Sequence, residues 1–176
     1  MRRVVSTLRP IVVVMGVSGV GKTTVASALA DALGWPFQEG DDLHTPGNIA
    51  KMSAGEPLTD ADRIPWLDRI GAWMDERAAA GEAGIVTCSA LRRAYRDRLR
   101  SGRPQVRFLH LTADPSVVRR RVGSRQHHFM PSSLVESQLE ALEPLQSDEP
   151  GVEVRSSGTT EQMVTKALDA LGESVR

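Results

Sequence analysis

Eight residues near the start of the chain constrain its fold more than any other stretch. They read G-x-x-x-x-G-K-T, in the order Gly16-Val17-Ser18-Gly19-Val20-Gly21-Lys22-Thr23. The residues before them, Ile11 to Met15, are apolar and mostly β-branched, as in a strand buried on both faces. Residues 24–33 are rich in Ala and Leu and end at Gly34, which predicts a helix. A strand, a glycine-rich turn and a helix in this order form a phosphate-binding loop.

The residue types in this loop account for its chemistry. Glycines let backbone N–H groups turn inward around a phosphate, and the N-terminus of the following helix adds favourable partial charge. Lys22 can reach the β- and γ-phosphates, the Thr23 hydroxyl can ligate Mg²⁺, and Thr24 continues into the helix. A strand-to-helix turn that merely contains glycines is the alternative, but the Lys-Thr pair and both flanks match the motif. We therefore predict that the chain binds a nucleoside triphosphate.

The composition of the whole chain is that of an ordinary globular protein. It has 176 residues, which suits a single domain over residues 1–176, and its formal net charge is zero. Zero net charge gives no general attraction to nucleic acid or to an anionic membrane. The apolar run before the loop is too short to span a bilayer, and the single cysteine, Cys88, cannot form an internal disulfide. We expect a cytoplasmic protein with no nucleic-acid or membrane partner.

Apolar runs and helical patterns alternate along the rest of the chain. Further strands are predicted at 35–38, 84–88, 106–111 and 152–154. Helices are predicted at 60–80, 91–100, 132–142 and 160–171, and one more opens at Asp114-Pro115. This alternation implies an α/β fold of three α/β/α layers, with a central parallel sheet of about five strands. Ligands of such a sheet bind at the carboxyl ends of its strands.

The segment after the second predicted strand, about 40–80, is where we expect the second substrate. Asp41 follows the strand end, where a carboxylate can accept a proton from an attacking hydroxyl or hold a metal-bound water. It can equally cap the next helix. His44 can hydrogen-bond a substrate hydroxyl or be purely structural. Arg63 can clamp an anionic substrate group or pair with a neighbouring aspartate.

The third predicted strand carries no acidic residue at its end. Many P-loop proteins place an aspartate there to help hold Mg²⁺, but residues 85–88 read Ile-Val-Thr-Cys. Metal binding then depends on Thr23, the nucleotide phosphates and water, with Asp41 as the protein carboxylate. This pattern disfavours a GTPase switch and favours a small-molecule kinase.

A run of arginines follows the fourth predicted strand. Arg121 and Arg125 are four residues apart and would share one face of a helix. One can stack on an adenine ring while the other neutralises the transferring phosphate. The run ends at Gly-Ser and at His-His-Phe-Met-Pro, which lacks periodicity and indicates a lid over about 121–135 that excludes water on closing. A solvated basic face is the alternative.

Taken together, these segments resemble the gluconokinases, small P-loop kinases related to the shikimate-kinase group. The resemblance runs over about residues 11–150. It is carried by the phosphate loop with Met15 and by these segments: Glu39 to His44, Asn48 to Met52, Gly55 to Asp60, Asp62 to Leu67, Cys88 to Arg92, Tyr95 to Asp97, His128 to Pro131, and Ser137-Gln138. The Gly-Glu-Pro-Leu and Pro-Trp-Leu segments discriminate better than the phosphate loop, which many families share.

The resemblance implies an activity and a set of site residues. It implies a P-loop NTPase fold like that of the nucleoside monophosphate kinases, with a small helical lid. It implies transfer of the ATP γ-phosphate to the 6-hydroxyl of D-gluconate with Mg²⁺, and a homodimer. By position, Asp41 would be the base or metal-water partner, Lys22 the phosphate ligand, Arg125 the lid arginine and Arg121 the adenine-side arginine. The residues facing gluconate would be His44, Arg63, Ser89, Arg92 and Gln138.

Two other functions fit part of the same pattern. A shikimate-like or nucleotide-like kinase shares the phosphate loop, an aspartate after the second strand and a lid. A regulator that binds ATP without catalysis shares the fold. The joint presence of Lys22, Thr23, Asp41 and Arg125 argues against the regulator, because a degenerate site would lose some of them.

Overall fold

A parallel sheet of five strands lies at the centre of the computed structural model, which describes residues 8–124 and 133–175. The strands are β1 (Ile11–Met15), β2 (Phe37–Gln38), β3 (Gly84–Thr87), β4 (Val106–Thr112) and β5 (Gly151–Arg155). Their spatial order is β2-β3-β1-β4-β5, and every neighbouring pair is parallel. The predicted parallel sheet is confirmed.

Seven α-helices in the described residues connect and cover these strands. They are α1 (Lys22–Leu33), α2 (Pro46–Ser53), α3 (Asp60–Ala79), α4 (Arg93–Arg100), α5 (Pro115–Gly123), α6 (Ser133–Ala141) and α7 (Thr160–Leu171). Short 3₁₀ helices occupy Gly40–Leu43 and Gly172–Val175. Side-chain oxygens of the N-cap residues accept backbone N–H bonds at α2, α3, α5 and α7, which fixes where these helices begin. None of the described helices is long and apolar enough to cross a lipid bilayer.

The central strand β1 shows how the layers are divided. Val12 and Val14 belong to one buried cluster with residues of α1 and α7. Ile11, Val13 and Met15 belong to the cluster on the opposite face, with residues of α3 and α4. Alternating side chains of a strand point to opposite faces, so a fully apolar β1 is what a sheet covered on both sides requires. The three-layer α/β/α architecture is confirmed.

Chain connectivity opens a crevice at the carboxyl end of the sheet. The chain leaves β1 for α1 on one face, whereas it leaves the neighbouring β3 for α4 on the other face. A ligand crevice is expected where adjacent connections diverge in this way. The phosphate loop and the turn after β3 form its two sides.

The structure corrects the predicted starts of two helices. Helix α1 begins at Lys22, inside the motif, because Gly21 is already its N-cap. Helix α4 begins at Arg93, two residues later than predicted. The helix predicted at 60–80 is observed as α3, Asp60–Ala79, with Pro65 near its start. Most of the predicted lid, including Arg125, falls within residues 125–132, outside the described residues.

Candidate active site

The phosphate loop has the backbone geometry that its glycines predict. Gly16 has a φ of 142°, and a Cβ on it would lie 2.6 Å from the carbonyl oxygen of Leu111, so no other residue fits. The Gly16 N–H donates to the carbonyl oxygen of Ser89, which joins the start of the loop to the turn after β3. Because α1 begins at Lys22, the N–H groups of Lys22, Thr23 and Thr24 belong to its first turn, where anions bind.

The side chains of Lys22 and Gln138 both hydrogen-bond to the backbone of the loop. The Lys22 ammonium donates to the carbonyl oxygens of Gly16 and Val17, at 3.0 Å each, so it lies folded across the loop. Gln138 of α6 accepts a hydrogen bond of 2.7 Å from the backbone N–H of Ser18. Helix α6 is thereby attached to the loop by one side chain.

Glu39 is the functional candidate that sequence reasoning missed. It follows β2, and its two carboxylate oxygens accept hydrogen bonds of 2.6 Å from the hydroxyls of Thr23 and Thr87. Thr87 also accepts the N–H of Gly40, whose position leaves no room for a Cβ because the Thr87 carbonyl oxygen would lie 1.8 Å away. The sequence held one signal for this role, namely that β3 ends in Thr87 where many P-loop proteins have an aspartate. In this chain the carboxylate at that place is Glu39, which follows the neighbouring strand β2.

The donor set beside the phosphate loop fits a magnesium ion. A small concavity over the loop is lined by the side chains of Thr23, Glu39 and Asp41 together with Lys22 and loop residues. Hydroxyl and carboxylate oxygens are the ligands that Mg²⁺ prefers, usually with waters and substrate phosphates completing the shell. Within residues 8–124 and 133–175, no group of three or more His, Cys, Asp or Glu is placed to hold a metal ion without other ligands.

A cleft that is open to solvent lies next to this concavity. Five of the predicted substrate residues line it: Asp41, His44, Arg63, Ser89 and Gln138. Lys22, Glu39 and Asp41 line both spaces, so the cleft and the phosphate loop are continuous. Arg92, by contrast, is exposed at the N-cap of α4 and is absent from the lining. Cys88 also lines the cleft, and burial raises the pKa of its thiol to about 12, so it stays protonated.

Asp41 and His44 lie next to each other in the wall of the cleft. Asp41 Oδ1 lies 3.8 Å from His44 Nε2, and the Asp41 side chain is 45% exposed. His44 is buried and stacks on Trp66, with ring centroids 4.1 Å apart, and Trp66 donates to the carbonyl oxygen of Gly40. Burial, with a smaller effect from the Arg63 guanidinium, lowers the pKa of His44 from 6.5 to about 4, so the ring is neutral at pH 7.

Asp41 does not cap the helix that follows it. The N-cap of α2 is Thr45, whose hydroxyl accepts the N–H of Asn48. Asp41 lies instead within the 3₁₀ helix, facing the cleft. Its carboxylate is therefore placed for contact with ligands.

Arg63 is held by neutral partners in the described part of the chain. Its Nη1 donates to the carbonyl oxygen of Leu58 at 2.6 Å and to the Tyr95 hydroxyl at 3.2 Å, and it lies over the Tyr95 ring. The nearby aspartates have other partners: the Tyr95 hydroxyl donates to Asp60, and Lys51 pairs with Asp62. Among the described residues no carboxylate pairs with Arg63, so its positive charge is available at the cleft.

Arg121 of α5 lies on the other side of the phosphate loop. Its Nη1 donates to the carbonyl oxygen of Gly19 and to the hydroxyl of Ser156, at 3.3 Å each. Ser156 follows β5 and donates to the carbonyl oxygen of Val20. These contacts tie the turn after β5 to the phosphate loop, as expected for a turn at the carboxyl end of a strand in this sheet.

A buried ion pair supports the turn that carries Ser89. Arg96 of α4 is fully buried, and its guanidinium donates to both carboxylate oxygens of Glu149, at 2.6 and 3.0 Å. It also donates to the carbonyl oxygen of Ala90, which adopts a positive φ of 47°. Arg96 therefore stabilises a strained turn at the edge of the cleft.

Comparisons with known proteins agree with this geometry. A family model described as an AAA domain matches residues 11–145. A gluconokinase of Gluconobacter oxydans is 52% identical over 81% of this chain and 80% of its own length. The crystal structure of a sugar kinase from a Janibacter species is 52% identical, with a TM-score of 0.88 over 93% of this chain and 94% of that one. A gluconokinase structure from Sinorhizobium meliloti is 48% identical, with a TM-score of 0.82 over 93% and 92%.

These relatives cover between 81% and 93% of the chain. Their sequence identities of 48% to 52% are high enough to indicate membership of one family and not only a shared fold. The resemblance inferred from the sequence motifs is confirmed. The chain belongs to the gluconokinase family of P-loop kinases.

Proposed function

We propose that this chain transfers the γ-phosphate of ATP to the 6-hydroxyl of D-gluconate and forms 6-phospho-D-gluconate. The observation that carries the proposal is the position of Asp41, which lines both the phosphate loop and the acceptor cleft. A carboxylate at that junction lies between the donor phosphate and the acceptor hydroxyl. The relatives named gluconokinase supply the identity of the acceptor.

The reaction assigns a role to each charged group. Asp41 accepts the proton as the O–H bond of the acceptor breaks, an O–P bond forms, and the bond from the γ-phosphorus to ADP breaks. Lys22 neutralises charge on the β- and γ-phosphates, and Arg125 of the lid does so on the transferring group. Arg121 faces the adenine side. Loop amides at the start of α1 hold the phosphates in place.

The acceptor side of the site recognises a polyol acid. Arg63 attracts the carboxylate of gluconate, because its own contacts are to neutral groups. His44, Ser89 and Gln138 are assigned to hydroxyl groups of gluconate. The neutral His44 can serve as a hydrogen-bond donor without adding charge.

A magnesium ion fits the concavity formed by Thr23, Glu39 and Asp41. Mg²⁺ bound there would neutralise phosphate charge and orient the phosphoryl group. Glu39 holds the Thr23 hydroxyl and adds negative charge, while Asp41 is placed to bind a metal-coordinated water. We further propose a cytoplasmic enzyme that works as a homodimer, as the family resemblance implies.

The test is an ADP-release assay with Mg-ATP across gluconate, shikimate, other sugar acids and nucleoside monophosphates. Gluconate should give the highest kcat/KM, and mass spectrometry should find 6-phosphogluconate. Turnover with another acceptor in the absence of any with gluconate would refute the proposed substrate.

A matched variant tests the proposed base. Asp41→Asn should lower kcat by roughly 100-fold or more, the usual scale for losing general-base catalysis, while ATP binding measured by calorimetry stays close to that of the wild type. Full activity of Asp41→Asn would show that another group accepts the proton.

A further inference from the structure

The imidazole of His44 is held in one orientation from two directions. Its ring stacks on Trp66 with an interplanar angle of 16°, and its Nδ1 lies 3.3 Å from the side-chain amide nitrogen of Asn48. Asn48 and His44 are 4% and 7% exposed, so bulk water does not replace these contacts. Nε2 is the ring nitrogen that faces Asp41, at 3.8 Å.

The orientation of the Asn48 amide is determined by a third group. Its Nδ2 donates to the backbone carbonyl oxygen of Asp62 at 3.0 Å, and a carbonyl oxygen can only accept. Turning the amide over would place its oxygen against the Asp62 oxygen. The NH₂ group therefore faces both the Asp62 carbonyl and His44 Nδ1, with one hydrogen available for each.

This arrangement fixes the protonation pattern of the imidazole. A ring nitrogen that faces an N–H donor must be the acceptor, so Nδ1 carries no hydrogen. The proton is then on Nε2, which points toward Asp41 at the cleft. The N–H and the Asp41 carboxylate present one donor and one acceptor side by side, within reach of a single hydroxyl oxygen.

We infer that Asn48 is a positioning residue for phosphoryl transfer, because it holds His44 in the Nε2–H tautomer that donates to the acceptor hydroxyl while Asp41 accepts the hydroxyl proton. The inference rests on the proposed function. With the opposite tautomer, Nε2 would compete with Asp41 for the hydroxyl proton and leave the oxygen without its donor. Asn48 does not touch the reacting atoms and acts through His44.

The tautomer can be measured without any activity. The chain has four histidines, so ¹⁵N-histidine labelling of the full chain and two-dimensional NMR give four imidazole patterns, and His44→Gln identifies the one from His44. We expect a protonated-type shift at Nε2 and an unprotonated-type shift at Nδ1 at pH 7. A protonated Nδ1, or a mixture of both tautomers, would overturn the inference.

Asn48→Asp tests the consequence for catalysis. A carboxylate can only accept, so it should draw the proton to Nδ1 and change the NMR pattern of His44. The kcat with gluconate should fall by roughly 100-fold, the scale seen when one aligned donor or the correct tautomer is lost, while the KM for ATP changes by less than about twofold. Unchanged kcat together with a changed tautomer would overturn the inference.

Thr45→Ala is the matched control, because it removes the N-cap of α2 and leaves the Asn48 amide in place. It should lower thermal stability and keep the His44 tautomer and most of kcat. A loss of kcat equal to that of Asn48→Asp, with the tautomer retained, would show that Asn48 acts only through the stability of α2. An Nε2–H tautomer in a wild-type protein that turns over another acceptor and not gluconate would instead refute the proposed substrate and confirm the tautomer.

Discussion

Among single residues, Glu39 joins the phosphate loop to the end of β3, since its carboxylate accepts from the hydroxyls of Thr23 and Thr87. Glu39→Gln keeps the shape of the side chain and removes the negative charge. We expect the Mg²⁺ concentration for half-maximal activity to rise and kcat to fall, each by about 10- to 100-fold, as for other groups that orient a metal ligand. Magnesium titrations of steady-state rates measure both.

A control for Glu39 comes from a distant helix. Glu161 lies exposed in the first turn of α7, and Glu161→Gln makes the same chemical change there. It should leave the magnesium dependence unchanged. If Glu39→Gln also leaves it unchanged, then Glu39 only orders the two threonine hydroxyls and takes no part in metal binding.

Arg96 allows a second comparison at this scale, because Arg98 on the same helix forms a similar but exposed pair with Asp68. Arg96→Met removes the bidentate partner of the buried Glu149, which keeps only the Gln146 N–H and the more distant Arg93, and should cost about 3–5 kcal/mol in the free energy of unfolding. Arg98→Met should cost much less, because solvent screens its exposed pair with Asp68. Urea denaturation measures both, and equal losses would contradict the assignment of a structural role to the buried pair.

Among the helices and strands, those whose position depends on residues close together in the sequence were predictable from the sequence. Strands β1, β3 and β4 were visible as apolar runs, and the start of α5 was marked by Asp114-Pro115. The contacts of Glu39 were not predictable in this way, because they join residues 16 and 48 positions apart. They depend on β2 lying beside β3 and on the sheet order, which no local pattern encodes.

The same limit applies to the candidate site. From the sequence alone, the carboxyl-end rule places Asp41 and the phosphate loop in one crevice. It could not indicate that Asn48 reaches His44 and the Asp62 carbonyl at once, since that contact requires α2 to pack beside the start of α3. Roles that depend on such packing are visible only in three dimensions.

The junction of α2 and α3 carries a pH-dependent contact. Asp62 is part of the capping box of α3 and pairs with Lys51 of α2 at 2.8 Å. The hydrogen bond from Lys51, and then those from Thr59, lower the pKa of Asp62 from its usual 3.8 to about 2. Because the unfolded chain binds this proton more readily, the stabilisation is present above about pH 4 and is lost as the pH falls towards 2.

Asp62→Asn tests that sign. It should unfold at a lower temperature than the wild type at pH 7, and the difference in Tm should shrink as the pH falls from about 4 to 2. Thermal denaturation followed by circular dichroism at several pH values measures this. A difference that stays constant over the whole range would show that the charge of Asp62 contributes nothing.

For the molecule as a whole, the site is divided between parts of the chain that fold around different faces of the sheet. The phosphate loop belongs to β1 and α1, whereas the acceptor cleft is formed by α2, α3 and the turn after β3. Helix α6 contacts both parts, since Gln138 lines the cleft and accepts the N–H of Ser18 in the loop. Binding of one substrate should therefore change the affinity of the site for the other.

Gln138→Ala should reveal that coupling. Loss of one hydrogen bond of ordinary strength should raise the KM for gluconate and the KM for ATP by about fivefold each, because the side chain serves both parts of the site. Arg63→Gln, which removes a group of the acceptor cleft, should raise the KM for gluconate and leave that for ATP within about twofold. Initial rates over a grid of both substrate concentrations separate the two patterns. A Gln138→Ala enzyme with only one altered KM would place Gln138 in one part alone, and α6 would then not couple donor and acceptor.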